Sequence, residues 1–274
     1  MSKIAATVTI LTYNSEKTLE ACLESVKDVA DILVLDGGST DRTRDIAASF
    51  GARVLAQSET PGPIRNFTDV RVRSFELALH DWILWIDSDE WADARLIASI
   101  RDAQASSRND VAYRAERFPV IGGRVIRYSA LLPDRVLRFV HRGSAQWAKG
   151  KRVHEHLNVL PGTEVKDLAG GIYTPWQTCE EYRKKDRYYL HLAFSDTGKY
   201  RPSFRRTLHS IAKNCALGVR VLFVATLIHL RYGRTGAVMP WSYEYRFTRY
   251  YFQVARERVR QFFLGTSYVP PPSS

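Results

Sequence analysis

The chain has 274 residues, 45% of them hydrophobic and 25% charged, which excludes a disordered or collagen-like protein and allows one large domain or a domain with an appendage. Lys and Arg outnumber Asp and Glu by 40 to 29, and the excess lies in the last third: residues 180–274 hold 17 basic and 6 acidic side chains, residues 1–179 hold 23 of each. Cys22, Cys179 and Cys215 stand far apart with no C-x-x-C pair, which argues against a disulfide scaffold or a cysteine zinc site and for a reducing, cytoplasmic compartment.

Ala6–Leu11 reads as a buried strand, too short and too β-branched for a signal segment. Ser15 can cap a helix over Glu16–Lys27, where Leu19, Cys22, Leu23 and Val26 recur at helical spacing. Asp31–Leu35 is a second strand, Thr43–Phe50 a helix opened by Ser39, Thr40 and Asp41, and Ala52–Leu55 a third strand. Ile64–Leu79 has helical character and Trp82–Ile86 is a fourth strand. Apolar strands separated by helices predict an α/β fold, a mostly parallel sheet with helices on both faces. Asp93–Gln104 follows as a helix, then strand-like runs at Val111–Arg117, Arg124–Tyr128 and Val136–Phe139. The rest is helical and aromatic: Thr178–Leu192, Pro202–Leu217, Val219–Leu230 and Ser242–Phe263. The most apolar later stretch, Val221–Leu230, lies between Arg220 and Arg231 and falls short of the roughly 20 residues of a membrane span. The expected domains are residues 1–175, a basic, aromatic helical appendage over 176–264, and a Gly, Ser and Pro-rich tail over 265–274.

Ligands of such sheets bind beyond the carboxyl ends of the strands. Those ends deliver Thr12-Tyr13-Asn14, then Asp36-Gly37-Gly38-Ser39-Thr40-Asp41, then Asp87-Ser88-Asp89-Glu90. Two carboxylates one residue apart can serve a sugar hydroxyl and a divalent cation, because Mg²⁺ and Mn²⁺ take carboxylate and phosphate oxygens together. A solvated acidic turn is the plainer reading of a lone D-x-D, but the apolar Trp82–Ile86 run makes this one the end of a buried strand. Asp36 can accept from a ribose or a base N–H, and Gly37-Gly38 lets backbone turn tightly beside a ligand. Ser39 and Asp41 can equally serve only to cap the next helix.

These ordered motifs, with Arg65-Asn66 between them, resemble family 2 glycosyltransferases of the GT-A fold over roughly residues 4–170, and within these the non-processive type that includes lipopolysaccharide core glucosyltransferases. The resemblance implies inverting transfer of one sugar from a nucleotide-diphosphate donor, UDP-hexose in first place, to a glycan or lipid-linked acceptor of the cell envelope. It implies donor contacts from Thr12, Tyr13, Asn14, Glu16, Asp36, Arg65 and Asp87, with Asp89 as ligand to Mn²⁺ or Mg²⁺. An inverting transfer needs a base opposite the leaving group. Val153-His154-Glu155-His156 holds the compact acid/base cluster downstream: Glu155 is the favoured base, Asp134 the next, and His154 can touch metal or phosphate. Where relatives often carry a further His, this chain reads Gly170–Trp176 with none, so the resemblance supplies no His ligand from that segment. Gln253-Val254-Ala255-Arg256-Glu257 lacks the Trp of the processive Q-x-x-R-W motif.

Two other classes fit less well. A sugar-phosphate nucleotidyltransferase needs a Gly- and Arg-rich phosphate loop after the first strand, and Thr12–Glu16 is not one. A nucleic-acid-binding module could use the basic third, but no known nucleic-acid motif is present and acidic strand ends repel phosphate, so no nucleic acid is expected. Within Ser242–Phe263, Arg246, Arg249, Arg256 and Arg260 share a helical face, and Phe247, Tyr251, Val254, Val259 and Phe262 line another. That pattern predicts peripheral docking on an anionic membrane surface at the inner face of the cell membrane. The competing reading packs the apolar stripe inward and leaves the arginines solvated.

Overall fold

The computed structural model describes residues 2–62, 66–106, 108–148, 157–195 and 203–265. They form two compact units: residues 1–118 with 133–175, and residues 119–132 with 176–274.

The first unit begins with β1 (Ile4–Thr12), α1 (Leu19–Val26), β2 (Val29–Asp36), α2 (Thr43–Ser49), β3 (Arg53–Ala56), α3 (Phe67–Glu76) and β4 (Trp82–Asp87). It continues with β5 (Trp91–Ala92), α4 (Ala94–Ala105) and β6 (Val111–Ile121). After β7 (Arg124–Val125), which belongs to the second unit, come β8 (Asp134–His141), β9 (Ala145–Trp147), β10 (Leu157–Val159) and β11 (Glu164–Pro175). The sheet runs β3-β2-β1-β4-β8-β6-β11-β5. Its β3-β2-β1-β4 half is parallel, while β8 pairs antiparallel with β4 and β6.

Strand alternation divides the core. Val8, Ile10, Ile32, Val34, Leu84 and Ile86 pack with residues of α1 and α4 on one face. Leu11, Leu33 and Leu35 pack with Val70 of α3 on the other. Both faces of the parallel half are therefore covered, as the apolar strands predict.

Two local expectations change. Ser15 does not cap α1 through its side chain; its carbonyl accepts from Thr18 and Leu19, and its hydroxyl meets Ser88 at 3.0 Å. Ser39 does not cap α2, because its hydroxyl donates to Asp36 and accepts from the Asn14 N–H. β11, a strand the sequence pattern does not mark, runs through Gly170 and Gly171. Gly170, at φ +86°, leaves room for Asp93 and the start of α4, which any Cβ there would strike. Asp93 caps α4 by accepting from Leu96 N–H and binds β11 through Gly171 N–H and Tyr173 hydroxyl.

The second unit is built on α5 (Cys179–Ser195), α6 (Phe204–Tyr232) and α7 (Trp241–Leu264). Ile126, Met239 and Tyr243 form its small core with Trp176 and Tyr182. The two helices expected on either side of Gly218 are one helix. Gly218 is buried, and a Cβ there would come within 3.1 Å of the Phe252 ring, so the glycine serves close packing against α7 instead of breaking α6. The merged helix is long and apolar enough to cross a membrane by length and composition, which neither shorter piece was. The apolar surface it exposes includes Val219, Phe223, Leu227 and Leu230.

The free basic face expected on α7 is partly neutralised. Arg246 is bound to Asp186, and Arg256 and Arg260 both bind the buried Glu257. These two carboxylates offset two of the stripe's four positive charges, while Arg249 and Arg256 stay exposed and Arg260 half-exposed.

Candidate active site at the carboxyl ends of the parallel strands

Register brings the acidic strand ends to within one residue of a common level. Thr12 is opposite Asp36, and Leu11 is opposite Asp87. With strands about 4.8 Å apart, Asp36 and Asp87 flank β1 at roughly 10 Å. The loops beyond are laced together. Asn14, the one described non-glycine residue with positive φ (51°), donates its N–H to Ser39 Oγ at 2.8 Å and accepts from Thr40 N–H at 2.9 Å. Glu16 donates its N–H to Asp41 Oδ2 and accepts from Arg42 N–H. Ser15 N–H donates to Thr43 Oγ1. Asn14 and Glu16 thus already hold the rim of the site in shape.

Asp36 is buried, and its Oδ2 accepts from Gly38 and Ser39 N–H at 2.9 Å each. Among the described residues its Oδ1 accepts from the Ser39 hydroxyl alone, which leaves a lone pair for a ligand. Gly37 is required beside it: a Cβ would lie 2.7 Å from Gln57 Nε2 and the Gly62 carbonyl and 2.9 Å from the Tyr13 ring. The Tyr13 ring is half-exposed over this turn. Thr12 Oγ1 is buried without a hydrogen-bond partner among the described residues, an orphan donor at the level of Asp36.

Asp87 and Asp89 differ sharply. Asp89 is exposed in the turn after β4. Asp87 is gripped by Arg71 of α3 and lies 3.8 Å from Arg138 of β8. Both arginines are fully buried and lie over the Trp85 ring, their guanidinium carbons 4.7 and 3.8 Å from its centre. Glu90, also buried, accepts from Arg138 at 2.8 Å, from Thr174 Oγ1 at 3.1 Å and from the Asp87 N–H at 3.1 Å. Burial pushes the Asp87 carboxyl up, but Arg71 and Arg138 together outweigh it and hold the group below the ordinary carboxylate range. Burial dominates at Glu90, whose carboxyl is raised despite Arg138, with Asp87 adding to the rise. One member of this network is therefore kept ionised and the other is biased toward its proton.

The sequence reading does not contain Arg71, Arg138 or Glu90 as site residues. A signal existed: Arg138 is a lone charge inside Val136–Val140, and Arg71 sits between Val70 and Val72. Asp134 accepts from Arg117 at 2.6 and 3.0 Å, so it is engaged as an ion pair. Arg65, His154, Glu155 and His156 lie outside the described residues. Among the described residues no three His, Cys, Asp or Glu side chains converge as a metal cluster.

Residues 7–140 match the model of glycosyl transferase family 2. The chain carries a family 2 glycosyltransferase domain. It is 27% identical over 192 residues to the lipopolysaccharide core biosynthesis glycosyltransferase LpsC of Rhizobium meliloti, across 68% of this chain and 69% of that one. It is 33% identical over 177 residues to an uncharacterized glycosyltransferase of Rickettsia felis, across 63% of this chain and 59% of that one. The chain spans 69% of the length of LpsC and 55–59% of that of two Rickettsia relatives. Residues 1–349 of S. aureus TarS superpose with a TM-score of 0.45 at 15% identity, over 92% of each chain. The family 2 domain contains every strand end described above.

Proposed function

We propose that this chain is an inverting, metal-dependent transferase that moves one sugar from a nucleoside-diphosphate sugar, UDP-hexose in first place, to a glycan or lipid-linked acceptor of the cell envelope. The observation that carries this reading is the gathering of Thr12 and Asp36 at one level and Asp87 one residue earlier, at adjoining strand ends of a family 2 domain. Asp36 and Thr12 have the spare lone pair and the orphan hydroxyl to receive a nucleoside. Asp87, oriented and kept ionised by two buried arginines, is suited to accept from a sugar hydroxyl.

Asp89 would hold Mn²⁺ or Mg²⁺. The donor set fits a hard cation that arrives with its phosphate, since no three-ligand cluster exists among the described residues and diphosphate and water oxygens would complete the shell. Such a cation, when bound, neutralises charge growing on the departing diphosphate. Glu155 takes the proton of the acceptor hydroxyl as that oxygen bonds to the anomeric carbon on the side opposite the diphosphate, and His154 beside it contacts phosphate. The name of the LpsC relative supports a lipopolysaccharide precursor as the acceptor class.

Calorimetry with UDP and UDP-sugars, with Mn²⁺ and with EDTA, tests the donor site. Asp89→Ala should abolish the Mn²⁺-dependent part of UDP binding, and equal affinity in EDTA would remove the metal from the scheme. Glu155→Gln should keep donor affinity and lower transfer by about 10²–10⁴-fold; full transfer in that variant would assign the proton elsewhere.

A lipid-linked acceptor also calls for a surface that meets lipid, and α6 offers one. Val219, Phe223, Leu227 and Leu230 are exposed along one face, with Lys213, Arg220 and Arg231 as neighbours. Basic residues within the helix favour lying in the interface plane over spanning the bilayer. Phe223→Ser with Leu227→Ser should release the protein from anionic vesicles in co-sedimentation; undiminished binding would refute the membrane part alone.

A further inference from the structure

The second unit contains a cleft whose lining lies outside the residues matched by the family 2 model. Arg183 and Arg187 of α5 and Arg246 and Arg249 of α7 line a space of about 320 Å³, near the lower end for small-ligand sites. Their spacings, four and three residues, put each pair on one side of its helix, where like charges repel. Neither helix gains stability from placing them so, and the arrangement asks for an anion.

Arg246 is already fixed. Its Nε and Nη2 donate to Asp186 at 2.7 and 2.5 Å, and its guanidinium carbon lies 4.3 Å from the Tyr182 ring centre and 4.8 Å from that of Phe247. Two nitrogens are spent on Asp186 and Nη1 is left uncommitted among the described residues. Asp186 therefore cancels Arg246. Arg183, Arg187 and Arg249 are exposed, have no ion-pair partner among the described residues, and share the cleft with a single further carboxylate, Glu180. Three cations against one anion leave an excess of two positive charges. Tyr245 and Gln253 add a hydroxyl and an amide to the same lining.

We propose that this cleft binds a phosphorylated group, with Arg183, Arg187 and Arg249 closing on its oxygens and Arg246 as a rigid wall. Guanidinium forks match phosphate oxygens two at a time, which an ammonium cannot do. Because three of the arginines are exposed, binding is sensitive to salt. The same chemistry is offered by a free phosphate compound and by a phosphomonoester lipid headgroup. The inference does not rest on the sugar-transfer reading.

The test uses the full chain in two arms, with UDP titrated in parallel as a measure of the first unit. Inorganic phosphate is titrated in the first arm. In the second, phosphatidylcholine vesicles carry either phosphatidic acid or an equal charge of phosphatidylglycerol. Arg183→Gln/Arg187→Gln/Arg249→Gln should weaken binding by about tenfold or more, the scale of a lost charge-assisted fork, with UDP affinity unchanged. Arg249→Gln alone should weaken it by a smaller factor. A loss in the phosphate arm identifies a soluble ligand, and a loss confined to phosphatidic acid identifies a headgroup. Equal binding by wild type and triple variant in both arms overturns the proposal. So does an equal loss of phosphate binding in Arg205→Gln/Lys213→Gln/Arg220→Gln, which lowers net charge as much outside the cleft. Absent UDP binding alongside specific phosphate binding would refute the donor site and leave the cleft standing.

Discussion

Two groups of arginines in this chain have opposite surroundings. Arg71 and Arg138 of the first unit are buried, 1% and 0% exposed, and face Asp87 and Glu90. Arg183, Arg187 and Arg249 of the second unit are exposed and converge with one uncancelled carboxylate among them. A guanidinium takes its role from what answers it. Where the chain supplies the counter-charge, the arginine positions an acidic group. Where the chain withholds it, the arginine is left for a ligand.

The largest effect expected from this contrast is on stability. Arg138→Met strands the buried Glu90 in a low-dielectric site while Asp87 keeps Arg71, and removing one partner of a buried pair costs about 3–5 kcal/mol. Urea denaturation should show that fall, and Arg138→Met with Glu90→Gln should recover part of it by replacing the orphaned carboxyl. Arg249→Gln, by contrast, should stay within about 0.5 kcal/mol of wild type, as substitutions at exposed sites do. Similar costs for the two single variants would dissolve the distinction.

A middle-sized effect belongs to Asp31, the first unit's other buried carboxylate pair. Arg53 donates to both its oxygens at 2.8 and 2.9 Å, and Thr7 donates at 2.8 Å. Burial raises the Asp31 carboxyl, but Arg53, Thr7 and the Leu79 N–H together lower it below its ordinary value. A depressed folded-state value contributes stability that is present above about pH 4 and lost as pH falls through the folded value. Asp31→Asn should cost about 1.5–3 kcal/mol near neutrality, the scale of hydrogen bonds to a charged group, and flatten the acid limb of denaturation midpoint against pH.

The sequence shows some of this architecture and conceals the rest for physical reasons. The β3-β2-β1-β4 half is legible because each strand is a short apolar run bounded by polar turns, and the acidic residues just past Leu35 and Ile86 mark the ligand edge. Arg71 and Arg138 are hidden because a charged residue reads as surface until its counter-charge is known, and Asp87 and Glu90 are remote in sequence from both. Gly170 and Gly218 mislead for a shared reason. Each looks like a breaker, yet each makes room for a neighbour, the start of α4 in one case and Phe252 in the other. The α7 arginines mislead because helical spacing predicts a common face but says nothing of Asp186 on another helix.

The smallest effect isolates the second unit. Glu244 is fully buried; one oxygen accepts from the Ala130 N–H at 3.1 Å and the other has no hydrogen-bond partner among the described residues. Burial raises its carboxyl, and the Ala130 N–H, the Ser129 hydroxyl and His229 do not cancel the rise. The folded chain therefore keeps this proton after the unfolded chain has released it near pH 4.3. Between those two values stability falls as pH rises, the reverse of the Asp31 slope. Glu244→Gln carries its own constant offset from an amide in place of the acid, so the informative quantity is the change of that offset with pH. Hydrogen exchange on α7 peptides should show the variant gaining on wild type as pH rises through the folded value, while peptides of β1 and β2 show no such trend. A constant difference across that range would mean that Glu244 is ionised in the fold, and that the second unit has a counter-charge for it after all.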